Sequence, residues 1–197
     1  MTLPTLPSYL KVTDARLRIT NPADEHKSEI NRRNPSPAAF REIWTLEAAF
    51  APVAASYADA LQAWVEALDG RVNAFKMPLT QGVYGATCSG TVALSGTTTR
   101  GAGTLLVTVT GTIPAGTLLA VGDIETNTFQ VFEVLEEATS ATTRLEVAPR
   151  VRHAFTSGAA VEIAAPHGKF TLMSDATGGV TLRLDRAGIS LAAVEAV

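Results

Sequence analysis

The sequence predicts a mainly β protein with one α-helix, in which an outer domain built from both chain ends is interrupted by a small inserted β-domain. Three observations lead there. Period-2 patterns outnumber helical ones, only the segment 56–69 carries a 3.6-residue apolar stripe, and the composition changes near Val83 and again near Pro166. From Val83 to Gly122 the chain is rich in Thr, Gly, Val and Leu, with Arg100 its one charged residue. Domain bounds follow from these shifts: 1–82 with 166–197 outside, 83–165 as the insert.

The first clear strand lies in "AFREIWTLEAAF". Phe40, Trp44, Leu46, Ala48 and Phe50 fall on one face, and Arg41, Thr45 and Glu47 on the other. Glu42 breaks the apolar face, which places the start of the strand at a sheet margin. Pro52 ends it, since proline supplies no ladder donor. Ser56 with Asp59 three residues on then reads as a variant capping box opening a helix. Leu61, Trp64, Val65 and Leu68 follow the i, i+3, i+4, i+7 spacing of one buried stripe, and Gly70 suits the left-handed residue after the last turn.

The insert reads as short strands between turn signals. "GTLLVTVTG", "FQVFEVLEE", "TTRLEVAP" and "AAVEIAAP" are the candidates, and their even spacing fits a small barrel or sandwich. The tract "SGTTTRGAG", 95–103, lacks the Gly-Lys-Ser/Thr ending of a phosphate loop and reads as a turn or linker.

Composition narrows the function classes. With 197 residues, 46% hydrophobic, the chain has enough apolar material for a core. Its 16 basic and 19 acidic residues include no Lys/Arg run able to track a phosphate backbone, so no specific nucleic-acid contact is expected. Cys88 stands alone and forms neither an internal disulfide nor a structural zinc site. No export signal and no stretch of about 20 apolar residues is present, so a soluble chain assembled in a reducing cytoplasm, with no membrane contact, is expected.

No convergent catalytic set emerges. His26, His153 and His167 are scattered, with His167 in a Pro-His-Gly turn. Glu133, Glu136 and Glu137 are carboxylates near one turn, where a solvated edge explains them better than glycoside hydrolysis. Cys88 lies in Thr-Cys-Ser-Gly, which is no nucleophile signature. Trp44 and Trp64 fall on core faces. The expectation is no catalytic residue, no cofactor and no metal, with Phe40, Trp44, Leu61, Trp64 and Leu68 as a strand-to-helix core.

The ordered succession "FREIWTLEAAFAPVAASYADALQAWVEALDGRVNAF", "IPAGTLLAVGD", "FQVFEVLEEATS", "TRLEVAPRVRHAFTSGAAVEI", "APHGKFTLMSD" and "GISLAAVEAV" resembles the distal tail proteins of long-tailed bacteriophages and related tail-like particles. The resemblance spans nearly the whole chain. It implies a β-sandwich belt domain with one packed helix, interrupted by a small β-barrel, and a structural virion protein rather than an enzyme. By the same resemblance the chain forms a homo-oligomeric ring, a hexamer, at the tail tip or baseplate. The implied partners are the tail tube protein, the hub and the fibre proteins, with assembly in the host cytoplasm. Physics is compatible with such a ring, because closure needs a heterologous interface and sheet edges offer unpaired backbone groups.

Two other classes compete. A carbohydrate- or receptor-binding module of the tail tip needs exposed aromatics on the insert, where Tyr84, Phe129, Phe132 and Phe155 are the candidates. A small hydrolase needs His153 or His167 brought beside Cys88 or a carboxylate.

Overall fold

A computed structural model describes residues 3–20, 42–69, 72–79, 88–125, 128–173, 180–182 and 186–196. The chain divides into two units: Met1–Arg18, Trp44–Pro78 and His167–Val197 form the first, Ile19–Ile43 and Leu79–Pro166 the second. The protein is mainly β with one α-helix.

The first unit opens with β1 (Val12–Thr20), whose side chains are exposed or half-buried throughout. β2 (Ile43–Phe50) alternates cleanly, and Trp44, Leu46, Ala48 and Phe50 are all buried. This is the face that the period-2 pattern marks. Phe40 lies outside the described residues. After Pro52 comes the two-residue β3 (Val53–Ala54).

The helix differs from expectation at both ends. A 3₁₀ turn, Ala55–Tyr57, leads into α1 (Ala58–Ala67), and neither start carries a side-chain cap. Ser56 therefore sits inside the 3₁₀ turn, where its backbone is already helical and its hydroxyl is not placed as an N-cap. At the other end Asp69, with φ 47°, takes the left-handed conformation expected of Gly70, which is outside the described residues. Asn73 N–H donates back to Leu68 O at 3.1 Å, closing the turn. Leu61 and Leu68 are fully buried. β4 (Phe75–Pro78) follows.

The second unit is built from β5 (Thr91–Leu94), β6 (Thr104–Thr110), β7 (Leu118–Val121), β8 (Gln130–Val134), β9 (Arg144–Ala148) and β10 (Val161–Glu162). They pair antiparallel in the order β10-β7-β8-β9-β6-β5, and reciprocal backbone bonds between Thr98 and Phe155 join its two ends into a nearly closed barrel. Phe132 and Phe155, edge to face at 6.2 Å, fill the interior with Leu105, Leu119, Leu145 and Val147. The tract 95–103 is a turn pinned by Thr98, which is buried.

The barrel is internally duplicated. β5-β6-β7 and β8-β9-β10 repeat the same path, and the backbone bonds come in matched sets. Ser95 N–H to Leu106 O answers Leu135 N–H to Glu146 O. Val107 N–H to Thr143 O answers Val147 N–H to Gly103 O, and Gly116 N–H to Val134 O answers Gly158 N–H to Leu94 O. The isolated bridges Thr98 with Phe155 and Ile113 with Ala138 exchange under the same operation. Each half buries one face by leaning on the other, so the two form one core.

β11 (His167–Leu172), β12 (Val180–Leu182) and β13 (Arg186–Glu195) return to the first unit. There the order is β1-β2-β13-β11-β4, and the first half of β13 also pairs with β3 and β12. His167 is the exposed first residue of β11, directly opposite Pro78 of β4, rather than a turn residue. The chain thus leaves the first unit and re-enters it at adjacent, hydrogen-bonded strands.

The core of this unit gathers Trp44, Leu46, Leu61, Leu68, Phe75, Met77, Phe170, Leu191 and Ala193. Trp64 is half-buried at its margin: its ring meets Phe75 edge-on at 5.8 Å and its indole N–H donates to Thr5 O at 3.0 Å. An indole nitrogen needs such a polar partner, which keeps Trp64 at the rim of the stripe and not at its centre.

Candidate functional site

The most distinctive polar construction in the barrel is the connection from β9 to β10. In the first half, Thr110, Gly111 and Thr112 lead from β6 toward Ile113; in the second, Arg150, Val151, Arg152, His153 and Ala154 lead toward Phe155, the counterpart of Ile113. The second connection is therefore two residues longer, and the extra length carries charge. Arg100, in the turn beside it, corresponds to Ser140 in the other half.

The longer connection is firmly braced. Gln130 is fully buried, and its amide donates to Arg150 O at 2.8 Å while accepting from Arg152 N–H at 2.8 Å. One amide thus satisfies both a carbonyl and an N–H as a neighbouring strand would. Its counterpart is Gly90, where an added Cβ would lie 2.5 Å from Ile113 Cδ1 and 2.9 Å from the carbonyls of Thr110 and Thr112. The short connection leaves no room for a side chain there.

Further bonds fix the loop to its surroundings. Gly101 N–H donates to Val151 O at 2.7 Å, and Val151 N–H to Ala102 O at 2.9 Å. Arg150 Nη1 donates to Gly101 O at 3.2 Å. Glu42, grouped with this unit, accepts Arg150 N–H on Oε2 at 3.0 Å, and its carbonyl accepts from Arg152 Nη1 at 3.2 Å. Arg152 is mostly buried, whereas Arg100 and Arg150 are exposed. Half-buried His153 is held below the ordinary histidine value, first by desolvation and then by the charges of Arg152 and Arg100.

The other sequence candidates do not converge. Cys88 is half-buried, with Sγ 3.2 Å from Gly90 N in the turn before β5. Glu133 is half-buried on β8, and Glu136 and Glu137 are exposed beyond it. His26 and Tyr84 lie outside the described residues. Phe132 and Phe155 belong to the barrel core, and Phe129 is half-buried, so the insert's described aromatics form no exposed stacking platform. Among the described residues no three His, Cys, Asp or Glu side chains gather as metal ligands do.

The first unit adds a shallow cleft of about 460 Å³ lined by Asp14, Arg16, Glu47, Ala48, Ser190 and Leu191, across β1, β2 and β13. Beside it Arg18 pairs with Glu47 at 3.2 Å in the open, where an ion pair contributes little. Of the expected core set, Trp44, Leu61 and Leu68 are each buried and Trp64 is half-buried. The Arg150 to His153 loop escapes sequence reading because its partners, Gln130, Glu42 and Arg100, come from three distant segments. Alignment of the two barrel halves is the signal that exposes it. Comparison with protein-family models and with curated protein sequences finds no match to this chain.

Proposed function

We propose that this chain is a structural, non-enzymatic subunit of a phage tail or tail-like particle, closing with copies of itself into a hexameric ring at the distal end of the tail tube. In this reading the first unit is the belt and the barrel unit is its insert, with the tube protein, hub and fibre proteins as neighbours in the virion. The observation that carries it is the interruption itself: a sheet with one packed helix, opened between β4 and β11 to admit a complete barrel. That order is the one the resemblance implies. Further support comes from β1, a terminal strand in the described sheet order, because a sheet edge is a ready template for a neighbour's ladder. The burial of Phe132 and Phe155 weighs against the carbohydrate-binding alternative.

Electron microscopy of assembled particles tests the reading. The expected result is a closed ring of this chain at the end of a tail tube, absent from particles made without it. Particles that lack the chain, or tails that assemble unchanged after its deletion, would overturn it. A monomeric state of the isolated chain decides nothing, since ring contacts can require the tail scaffold.

A further inference from the structure

We propose that Arg100, Arg150 and His153 form, at the braced β9–β10 connection, a binding site for a single compact phosphate-type oxyanion. The inference stands independently of the ring. Its basis is the internal duplication, which supplies a control within the same molecule. The equivalent place, at the β6–β7 connection, makes the matching bridge with only Thr110, Gly111 and Thr112, beside Ser140 of the β8–β9 turn. Barrel closure therefore does not require a longer connection, three guanidinium groups or an imidazole. The β9–β10 connection nevertheless brings Arg150, Arg152 and His153 beside Arg100 of the β5–β6 turn, although like charges gathered at one place oppose folding.

The loop is also built as a site would be. Gln130 and Glu42 hold its backbone, so little ordering remains to be done when a ligand arrives. Arg100 and Arg150 keep exposed guanidinium groups whose planar donor forks match tetrahedral oxyanions. Arg152 lies behind them, its Nη1 engaged by the Glu42 carbonyl, and adds charge without needing to touch the ligand. Desolvation first, and then the charges of Arg152 and Arg100, lower the proton affinity of His153. A long polyanion is the wrong occupant, because the chain carries a formal charge of −3 and no basic run leads away from the loop.

The test is titration of the isotopically labelled full chain with inorganic phosphate, followed by NMR against chloride at equal ionic strength. Saturable shifts in residues 100–101 and 150–153 are expected, with a rise in the His153 pKa as the bound anion favours imidazolium. Arg100→Gln and Arg150→Gln should each weaken binding about tenfold, consistent with losing one charge-assisted contact. Arg144→Gln, on exposed β9, should leave it unchanged. Arg100 occupies an exposed turn, so its variant keeps the test intact if Arg150→Gln fails to fold. Glycerol phosphate binding more tightly than phosphate would identify a phosphorylated molecule as the source; equal affinity would identify the free anion. No saturation at about 20 mM phosphate, an equal response to chloride, undiminished binding in Arg100→Gln, or binding restricted to duplex DNA would each overturn the proposal.

Discussion

Replacing Thr98 by valine should stabilise the barrel, although Thr98 is buried and lies at its closure. The residue is 3% exposed, and among the described residues its hydroxyl has no hydrogen-bond partner. The closure is made by backbone alone: Thr98 N–H to Phe155 O at 2.8 Å and Phe155 N–H to Thr98 O at 3.0 Å. Valine keeps the shape and the branched Cβ while exchanging the hydroxyl for a methyl. A buried, unpaired polar group costs about 1 to 3 kcal/mol, and burial of a methyl contributes about 0.8 kcal/mol. Allowing for imperfect fit of the methyl, a net gain of about 1 to 2 kcal/mol is expected. The counterpart position, Ala138, already carries no polar atom and makes the same bridge to Ile113. Denaturant unfolding followed by barrel-specific NMR signals measures the change as a higher midpoint at constant slope. A loss greater than about 0.5 kcal/mol, beyond ordinary surface effects, would show that the hydroxyl holds a hydrogen bond and would refute the reasoning.

Four further outcomes are expected. Trp64→Ala should cost about 2 to 3 kcal/mol in unfolding experiments, below the roughly 3 to 5 kcal/mol of a fully buried aromatic, because Trp64 sits at the core margin. Gly122→Ala should cost more than about 2 kcal/mol, since φ is +92° and the added Cβ would lie 1.9 Å from Thr128 O; Gly103→Ala, which meets nothing within 4 Å, should stay within about 0.5 kcal/mol. Replacing Leu79–Pro166 by Asn-Gly should leave a first unit that unfolds cooperatively by calorimetry, as Pro78 and His167 already stand opposite each other in a hairpin register. Because His153 binds its proton more weakly folded than unfolded, stability should fall as pH drops below about 6.5 and level off once below the lowered folded value; denaturant midpoints across pH should lose that slope in His153→Gln.

Strands inside longer patterned stretches bounded by turn signals were legible in the sequence, and shorter or wholly buried ones outside them were not. β2 shows its inner face at every second residue, and β6, β8, β9 and β10 fall within the stretches that pattern and turn chemistry select. β7 escapes because all four residues, Leu118 to Val121, are buried, which erases the period-2 signal. β5 escapes because Thr91 to Leu94 is a single short alternation beside a Thr-rich turn. The stripe of α1 was readable from Leu61 and Leu68, while its start was not, since the 3₁₀ turn places Ser56 in helical backbone one turn early. The duplication hides for a different reason. Core positions tolerate any apolar side chain of suitable volume, so the halves share few identities, among them Leu105 with Leu145 and Gly116 with Gly158, while keeping matched backbone bonds.

The barrel's two-fold repetition also gives it two equivalent doorways. One is the gap between β10 and β5, where the chain departs to build the first unit. Its mate under the repeat is the short connection between Val121 and Gln130, which merely turns the chain from β7 into β8. A barrel indifferent to having a whole domain spliced through one doorway is topologically prepared to accept another through its mate. Foreign segments grafted between β7 and β8, or circular permutants opened there, would enter at the position that the repeat relates to the junction with the first unit. The duplicated fold thus reads as a coupling piece with one port in use and one capped by a loop.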